Sequence, residues 1–510
     1  MEHLLIAPVV LPALVAPFII MVLRHHLDLQ RIFSLASAVL LAGITLALAA
    51  QSADGTVKVY ELGDWPAPFG IVLVLDRLSA MMIVLTSLLA LPVLLYAIGS
   101  NWDTRGANFH ALFQFQLMGI MGAFLTGDAF NLFVFFEVLL IASYGLMIHS
   151  GGTRRFQAGV QYVVFNLLGS TLFLFALGTL YSVTGTLNMA DLAVKVAQIP
   201  AEDTALLRVG AVMLLLVFAI KASLLPLHFW LPSAYANAPM PVAALFAIMT
   251  KVGAYSILRI YTLVFGPEVE ATAGLTESWL LPAAMLTLGA GAIGVLGSKK
   301  LGRLAAFGAI ASMGTLLIAI SLFTQTAAAA ALYYLVHSTL AAALLFLVAD
   351  LVMERQGQWI LPQLPMPQTG LISALFFAAA IALAGMPPLS GFLGKLLVLD
   401  ATRGAALAPW IWGVILLGSL ITIIGMARAG SLLFWKGHGL PQRAAEEPGY
   451  TAAETAPPPA LAFVACFGLL AGLVALTVFA GPATRYAEAT AAQLYAPSAY
   501  IDTVLGRTAE

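Results

Sequence analysis

Apolar runs of about 20 residues, each long enough to cross a bilayer as a helix, recur along the whole chain, and no other feature limits its fold as strongly. Fourteen such windows lie near 4–23, 32–50, 78–99, 109–126, 129–148, 157–183, 207–229, 239–264, 279–297, 303–323, 328–352, 370–402, 409–435 and 458–480. Composition points the same way: 61 % of residues are hydrophobic and only 9 % are charged, against roughly 25 % charged in a soluble domain. A water-soluble enzyme, a nucleic-acid binder and a disordered scaffold are thereby excluded. The expected fold is an all-α polytopic membrane protein of about fourteen transmembrane helices, with residues 1–510 forming one membrane domain. The first window has no small-residue cleavage site and runs straight into the next, so it reads as a permanent helix rather than a signal peptide.

Alternating the loops sorts the charges. Arg24, Arg31, Arg105, Arg154, Arg155, Lys299, Lys300, Arg303, Arg355, Lys436 and Arg443 fall on one side, and the other side collects most of the acids. The positive-inside rule makes the first side cytoplasmic, so both termini are expected to be extracytoplasmic in a cell-membrane protein. The stretch 436–457 then reads as a cytoplasmic loop and 481–510 as a C-terminal tail, neither long enough for a separate domain.

Four ionisable residues remain deep inside the windows: Glu137, Lys221, Lys251 and Lys395. Each lies more than about 12 Å from the nearer membrane edge, too far for easy snorkelling. A charge at a helix centre costs about 2.5–3.5 kcal/mol on insertion scales and commonly marks an ion or proton path. The alternative is a Glu–Lys pair that only ties helices together. One carboxylate cannot neutralise three ammonium groups, however, so some of these lysines must be hydrated or neutral part of the time. Burial can bring a lysine's pKa from about 10.4 toward the physiological range, where it takes up and releases protons. An arginine, whose pKa stays above about 12, could not do this. His337, in the window 328–352, could bridge such lysines, since an unperturbed histidine titrates near about 6.5; it is equally readable as a satisfied packing residue. His228 lies between Pro226 and Pro232, where a gate, a pathway entrance and interfacial anchoring are all open readings.

Two windows carry helix breakers beside their lysines. Pro226 follows Lys221 by five residues, and Gly385-Met-Pro387-Pro388-Leu-Ser-Gly391 precedes Lys395. Proline removes a backbone donor, and open backbone is tolerated at membrane depth only against protein or water. Prolines also kink membrane helices without function; the adjacent lysine in both cases favours a functional break. Discontinuous helices recurring in two halves of a chain indicate inverted repeats, expected here over 109–264 and 279–435 with helices seven and twelve broken. Gly289-Ala-Gly291-Ala-Ile-Gly294 matches a dinucleotide-loop pattern but lies within a membrane window, so it reads as a small-residue packing surface. The single Cys466 excludes disulfides, Cys-rich zinc sites and iron–sulfur ligation within the chain. No His or Cys pair has metal spacing and no Walker loop is present, so no metal, cofactor or direct ATP drive is expected.

Phe218-Ala-Ile-Lys221-Ala-Ser-Leu-Leu-Pro226-Leu-His-Phe-Trp230-Leu-Pro232, followed by Thr250-Lys251-Val-Gly253-Ala-Tyr-Ser, resembles the antiporter-like membrane subunits. These are shared by respiratory complex I, membrane-bound hydrogenases and the multisubunit cation/proton antiporters of the Mrp type (also called Mnh or Pha). Leu383-Ala-Gly385-Met-Pro387-Pro388-Leu-Ser-Gly391-Phe392 and Asn131-Leu-Phe-Val-Phe-Phe136-Glu137 match as well. The likeness is strongest to the D-type branch of the Mrp antiporter subunits. The connection Pro232-Ser-Ala-Tyr-Ala-Asn-Ala-Pro239 lacks the His-x-Glu-Ala-Pro pattern of complex I subunits, Lys395 stands where the M-type complex I subunit has a glutamate, and the chain is shorter than the A-type subunit. The resemblance implies inverted five-helix repeats, a central polar axis through Glu137, Lys221, Lys251, His337 and Lys395, and assembly with a large A-type subunit and several small membrane subunits.

The leading functional reading is therefore a proton-translocating subunit of a secondary Na⁺/H⁺ or K⁺/H⁺ antiporter, not an enzyme. The runner-up is the pump module of a complex I-like or hydrogenase-like redox complex. A standalone solute transporter is the weakest reading, because buried lysines in line suit proton relay better than a solute pocket.

Overall fold

In the computed structural model, residues 2–200, 204–276, 278–439 and 460–507 are described; most of the expected 436–457 loop lies outside them. The chain opens with α1 (Ala7–Met21) and α2 (Leu27–Ser52), then a two-stranded antiparallel hairpin of β1 (Lys58–Glu61) and β2 (Val72–Leu75). Next come α3 (Arg77–Gly99), α4 (Phe109–Leu125), α5 (Ala129–Met147), α6 (Thr153–Thr184) and the short α7 (Met189–Ala197). The window expected at 207–229 holds α8 (Ala205–Lys221) and the break after it, beyond which comes α9 (Trp230–Asn237), and the next window divides into α10 (Met240–Phe246) and α11 (Met249–Leu263). Then follow α12 (Leu280–Gly297), α13 (Leu301–Ile320) and α14 (Gln325–Gln356). The long window at 370–402 is α15 (Thr369–Ala384) plus α16 (Ser390–Ala401), before α17 (Ala408–Gly430), α18 (Ala460–Val478), α19 (Ala480–Leu494) and α20 (Ser498–Val504).

Among the described residues ten helical segments are long and apolar enough to cross a membrane, and α1, α4 and α15 are shorter apolar helices. Length alone thus counts fewer spans than the fourteen windows: α1 and α4 are short, and the windows at 207–229 and 370–402 are cut by their breaks. Burial separates the helices into two shells. The most apolar windows of Met240–Leu263 and Gln325–Gln356 are 94 % buried and that of Leu301–Ile320 is 89 %, whereas those of Leu27–Ser52 and Ala408–Trp435 are 39 % and 33 %. The outer helices present apolar side chains outward, as a lipid-facing shell must. The inner ones carry Lys251 and His337.

Small residues let the helices approach. A Cβ on Gly291 would come within 2.4 Å of the Ala311 backbone nitrogen, and one on Gly294 within 2.2 Å of the Phe307 ring, both on α13. These two glycines of the dinucleotide-like pattern are therefore packing positions, as expected.

The hairpin, α7 and the C-terminal helices fold onto one end of the bundle. Asp76 caps α3 in a reciprocal box, its carboxylate accepting from the Ser79 backbone at 2.8 Å while Ser79 Oγ accepts from the Asp76 backbone at 2.9 Å. The same carboxylate takes both forks of Arg259 on α11, at 2.6 and 2.8 Å, and the Arg259 guanidinium lies 5.3 Å from the Tyr500 ring of α20. Both side chains are at most 5 % exposed. Removing one member of a buried pair strands the other charge at a cost of about 3–5 kcal/mol. Asp76→Ala is accordingly expected to lower the unfolding midpoint of the detergent-solubilised protein markedly, and an unchanged midpoint would refute a structural role for the pair.

Candidate functional site

The interior polar groups sit where helices break or touch backbone to backbone. Lys221 is the last residue of α8, and Ser223 just beyond it adopts a left-handed backbone (φ 58°). The groups freed by this break find partners: Trp230 Nε1 donates to the Ile220 carbonyl at 3.1 Å, and the Leu225 amide donates to Thr287 Oγ1 on α12 at 2.9 Å. Pro226 lies exposed within the break, and His228 is half-buried beside it with a buried Nδ1 that has no hydrogen-bond partner.

Lys221 is 6 % exposed, and its ammonium donates to Asn166 Oδ1 on α6 at 2.8 Å, lying 5.7 Å from the centre of the Phe136 ring. Glu137, on the next position of α5, is half-buried and accepts a hydrogen bond from Ser170 Oγ, one turn after Asn166. The expected Glu137–Lys221 pair is thus open: each partner is held by a neutral side chain of α6, near enough for the carboxylate to act on the ammonium through space.

Lys251 lies in the first turn of α11, fully buried, and its Nζ has no hydrogen-bond partner. A buried ammonium left so is costly. Gly253 brings its helix onto the break of α8: a Cβ there would stand 2.6 Å from the Ala222 nitrogen and 3.0 Å from the Lys221 carbonyl carbon. His337, in the middle of α14 and 1 % exposed, pairs through Nδ1 with Ser390 Oγ at 2.9 Å. Here too a glycine sets the approach, since a Cβ on Gly391 would lie 2.8 Å from His337 Nε2. Lys395 and Lys251 both lie within electrostatic range of the histidine.

Lys395 on α16 donates to the Ala384 carbonyl and to Ser419 Oγ on α17, both at 2.8 Å. Ala384 closes α15, so the ammonium serves a carbonyl orphaned by the Pro387–Pro388 break, at the negative end of a helix dipole. Gly385 is required there twice over: its φ is 78°, and a Cβ would lie 2.6 Å from Lys395 Cδ.

Lys221, Lys251, His337 and Lys395 are thus all buried inside the bundle, with Glu137 near enough to the first to act on it through space. Pro226 and His228 lie in the break between α8 and α9, and Pro387 and Pro388 in that between α15 and α16. Sequence reasoning missed the neutral partners Asn166, Ser170, Ser390 and Ser419. Asn166 and Ser170 are four apart on a membrane helix and so share one face, a signal that was readable. Chemically these residues offer groups that can hold or release a proton, all but Lys251 hydrogen-bonded to a hydroxyl or an amide.

A family model described as NADH:quinone oxidoreductase/Mrp antiporter, transmembrane, matches residues 126–424, a span holding every one of these charged residues. Over 99 % of this chain and 98 % of the relative, the sequence is 40 % identical to the D-type subunit of a probable K⁺/H⁺ antiporter of Rhizobium meliloti (strain 1021). It is 36 % identical to the D-type subunit of the Na⁺/H⁺ antiporter of Bacillus subtilis (strain 168), over 99 % of this chain and all of that one. A chain in the structure of the Mrp complex from Dietzia sp. superposes with a TM-score of 0.86 at 28 % identity, over 99 % of both chains. A matched model over more than half the chain and full-length relatives of this kind place the protein in the NADH:quinone oxidoreductase/Mrp antiporter membrane-subunit family, alongside proteins named as D-type antiporter subunits.

Proposed function

We propose that the chain is the proton-translocating subunit of a multisubunit monovalent cation/proton antiporter, exchanging Na⁺ or K⁺ for H⁺ across a bacterial cell membrane. The observation that carries this reading is the row of buried lysines interrupted by His337, with Lys251 held in a protein interior without a hydrogen-bond partner. A structural strut needs a counter-charge. A relay site needs to be able to lose its own charge. In the proposed cycle, closure of the Glu137–Lys221 pair favours a protonated Lys221. Withdrawal of Glu137 toward Ser170 then sends the proton on through Lys251 and His337 to Lys395. The inverted repeats 109–264 and 279–435 place one broken helix in each half of this route. The arginine-rich loops face the cytoplasm and both termini face out. The membrane potential supplies about 2.3 kcal/mol per charge per 100 mV, enough to drive cation exit if exchange is electrogenic.

The relatives' names support antiport over the redox-driven alternative, in which the same relay would be powered by quinone or ferredoxin chemistry in other subunits. Antiport in everted vesicles containing the complete complex, assayed with Na⁺, Li⁺, K⁺ and Ca²⁺, tests the assignment. Proton uptake that follows electron donors and ignores every cation would move the protein to the redox class.

Among the described residues no three His, Cys, Asp or Glu side chains are grouped to hold an ion, which supports a cation route in the partner subunits. The single chain in liposomes is therefore expected to show little or no exchange, and vigorous Na⁺/H⁺ or K⁺/H⁺ exchange by it alone would reject that division of labour.

A further inference from the structure

Asp350 is a buried carboxylate that neither the relay nor the sequence motifs include. It lies on α14, thirteen residues beyond His337 and so about 20 Å along the same helix, and it is 1 % exposed. One of its oxygens, Oδ2, accepts from the Tyr96 hydroxyl at 2.9 Å and from Trp102 Nε1 at 2.8 Å. Both donors are neutral, and no cation is in ion-pair contact with the carboxylate among the described residues. Arg105, one of the guanidinium groups around it, is otherwise engaged: it stacks 4.1 Å over the Trp102 ring and pairs with Glu354 at 2.8 Å.

The carboxylate also forms part of the wall of a cavity of about 440 Å³ at the arginine-rich end of the bundle. Arg154, Arg155 and Glu354 also line it, as do Ala238 and Met240, where α9 gives way to the half-helix leading to Lys251. The cavity is therefore walled both by the arginine-bearing stretch at 151–155 and by residues of the inner helices α10 and α14, Asp350 among them. The titratable and charged groups facing it from the surrounding elements are Tyr96 on α3, Arg105 in the following loop, Arg155 on α6, Glu354 and Arg355 on α14, and Cys466 on α18.

We propose that Asp350 is the proton-loading residue of the arginine-rich face. Its carboxylate takes a proton from hydronium in the cavity, leaving water behind, and releases that proton inward toward Lys251 and His337. Tyr96 and Trp102 hold the carboxylate in place. In this role the cavity admits water to the carboxylate, and the arginines that line it disfavour metal cations while a proton passes along hydrogen-bonded water. This inference rests on the relay reading above.

Asparagine separates this role from a purely structural one, because its amide oxygen can still accept from Tyr96 and Trp102. In proteoliposomes holding the complete complex, D350N is expected to slow antiport by about tenfold or more with assembly intact on native gels. D350E should recover most of the rate with a displaced dependence on pH at the arginine-rich face. A D350N complex that matches wild type in rate and pH profile overturns the proposal. If either variant fails to assemble or D350E is silent, Tyr96→Phe decides: loss of one hydrogen bond to the carboxylate should displace the profile by roughly half a pH unit or more, and an unmoved profile overturns the proposal. Lys221→Ala in parallel keeps the two readings apart. Its retained activity would sink the relay itself, whereas an inactive Lys221→Ala beside an unaffected D350N rejects only the loading role.

Discussion

Glu137→Gln is expected to abolish antiport while leaving the complex assembled. Glutamine keeps the length and shape of the side chain, and its amide oxygen can still accept from Ser170 Oγ, the contact that holds Glu137 against α6. What it loses is the negative charge. Lys221 is anchored by Asn166 rather than by Glu137, so packing around the break of α8 does not depend on the carboxylate. In the proposed cycle the charge instead biases whether Lys221 keeps its proton, and a neutral amide supplies no such bias. The expected loss is about a hundredfold or more, the scale set by removing a positioned acid–base group, read as cation-dependent proton movement in vesicles of matched expression. A missing complex on native gels would favour the reading in which Glu137 and Lys221 only tie helices together. Full activity in an assembled complex would remove Glu137 from the cycle.

Much of this site was legible because membranes penalise charge so heavily. Lys221, Lys251 and Lys395 stand out in apolar windows without any knowledge of the fold, and the prolines beside two of them mark the places where α8 and α15 end. Asp350 and Arg259 escaped notice for the opposite reason. Each lies near the end of its window, where charge is ordinarily solvated, and only the packing of other elements over them makes them interior. Arg259 is covered by Asp76 and Tyr500, which are far away in sequence. The hairpin was missed because Val72–Leu75 is a four-residue apolar run whose strand character depends on its pairing with Lys58–Glu61. The neutral partners of the lysines were hidden because serine and asparagine are common enough in membrane helices that no single one draws attention.

Lys221→Arg distinguishes a strut from a relay. If Lys221 only balanced Glu137, arginine should serve as well or better, since its fork can pair a carboxylate bidentately and could also reach Asn166. If residue 221 must lose its proton in every cycle, arginine should fail nearly as badly as alanine. The magnitudes decide this. Rendering a lysine half-neutral at pH 7 requires disfavouring its charged form by roughly 4–5 kcal/mol, which burial supplies readily. For an arginine, whose ordinary value lies far above that of lysine, the requirement is about 9 kcal/mol, beyond what a hydrated pathway should impose. The position itself magnifies the difference. Lys221 ends a helix beside an open break, where a small ammonium can swing between Asn166 and Glu137, while a rigid guanidinium would bridge both and stay. The measurement is proton-coupled cation exchange by wild type, Lys221→Ala and Lys221→Arg in vesicles with matched amounts of assembled complex. Exchange by the arginine variant at about the alanine level supports obligatory deprotonation, and near-normal exchange rejects it and leaves the strut reading standing.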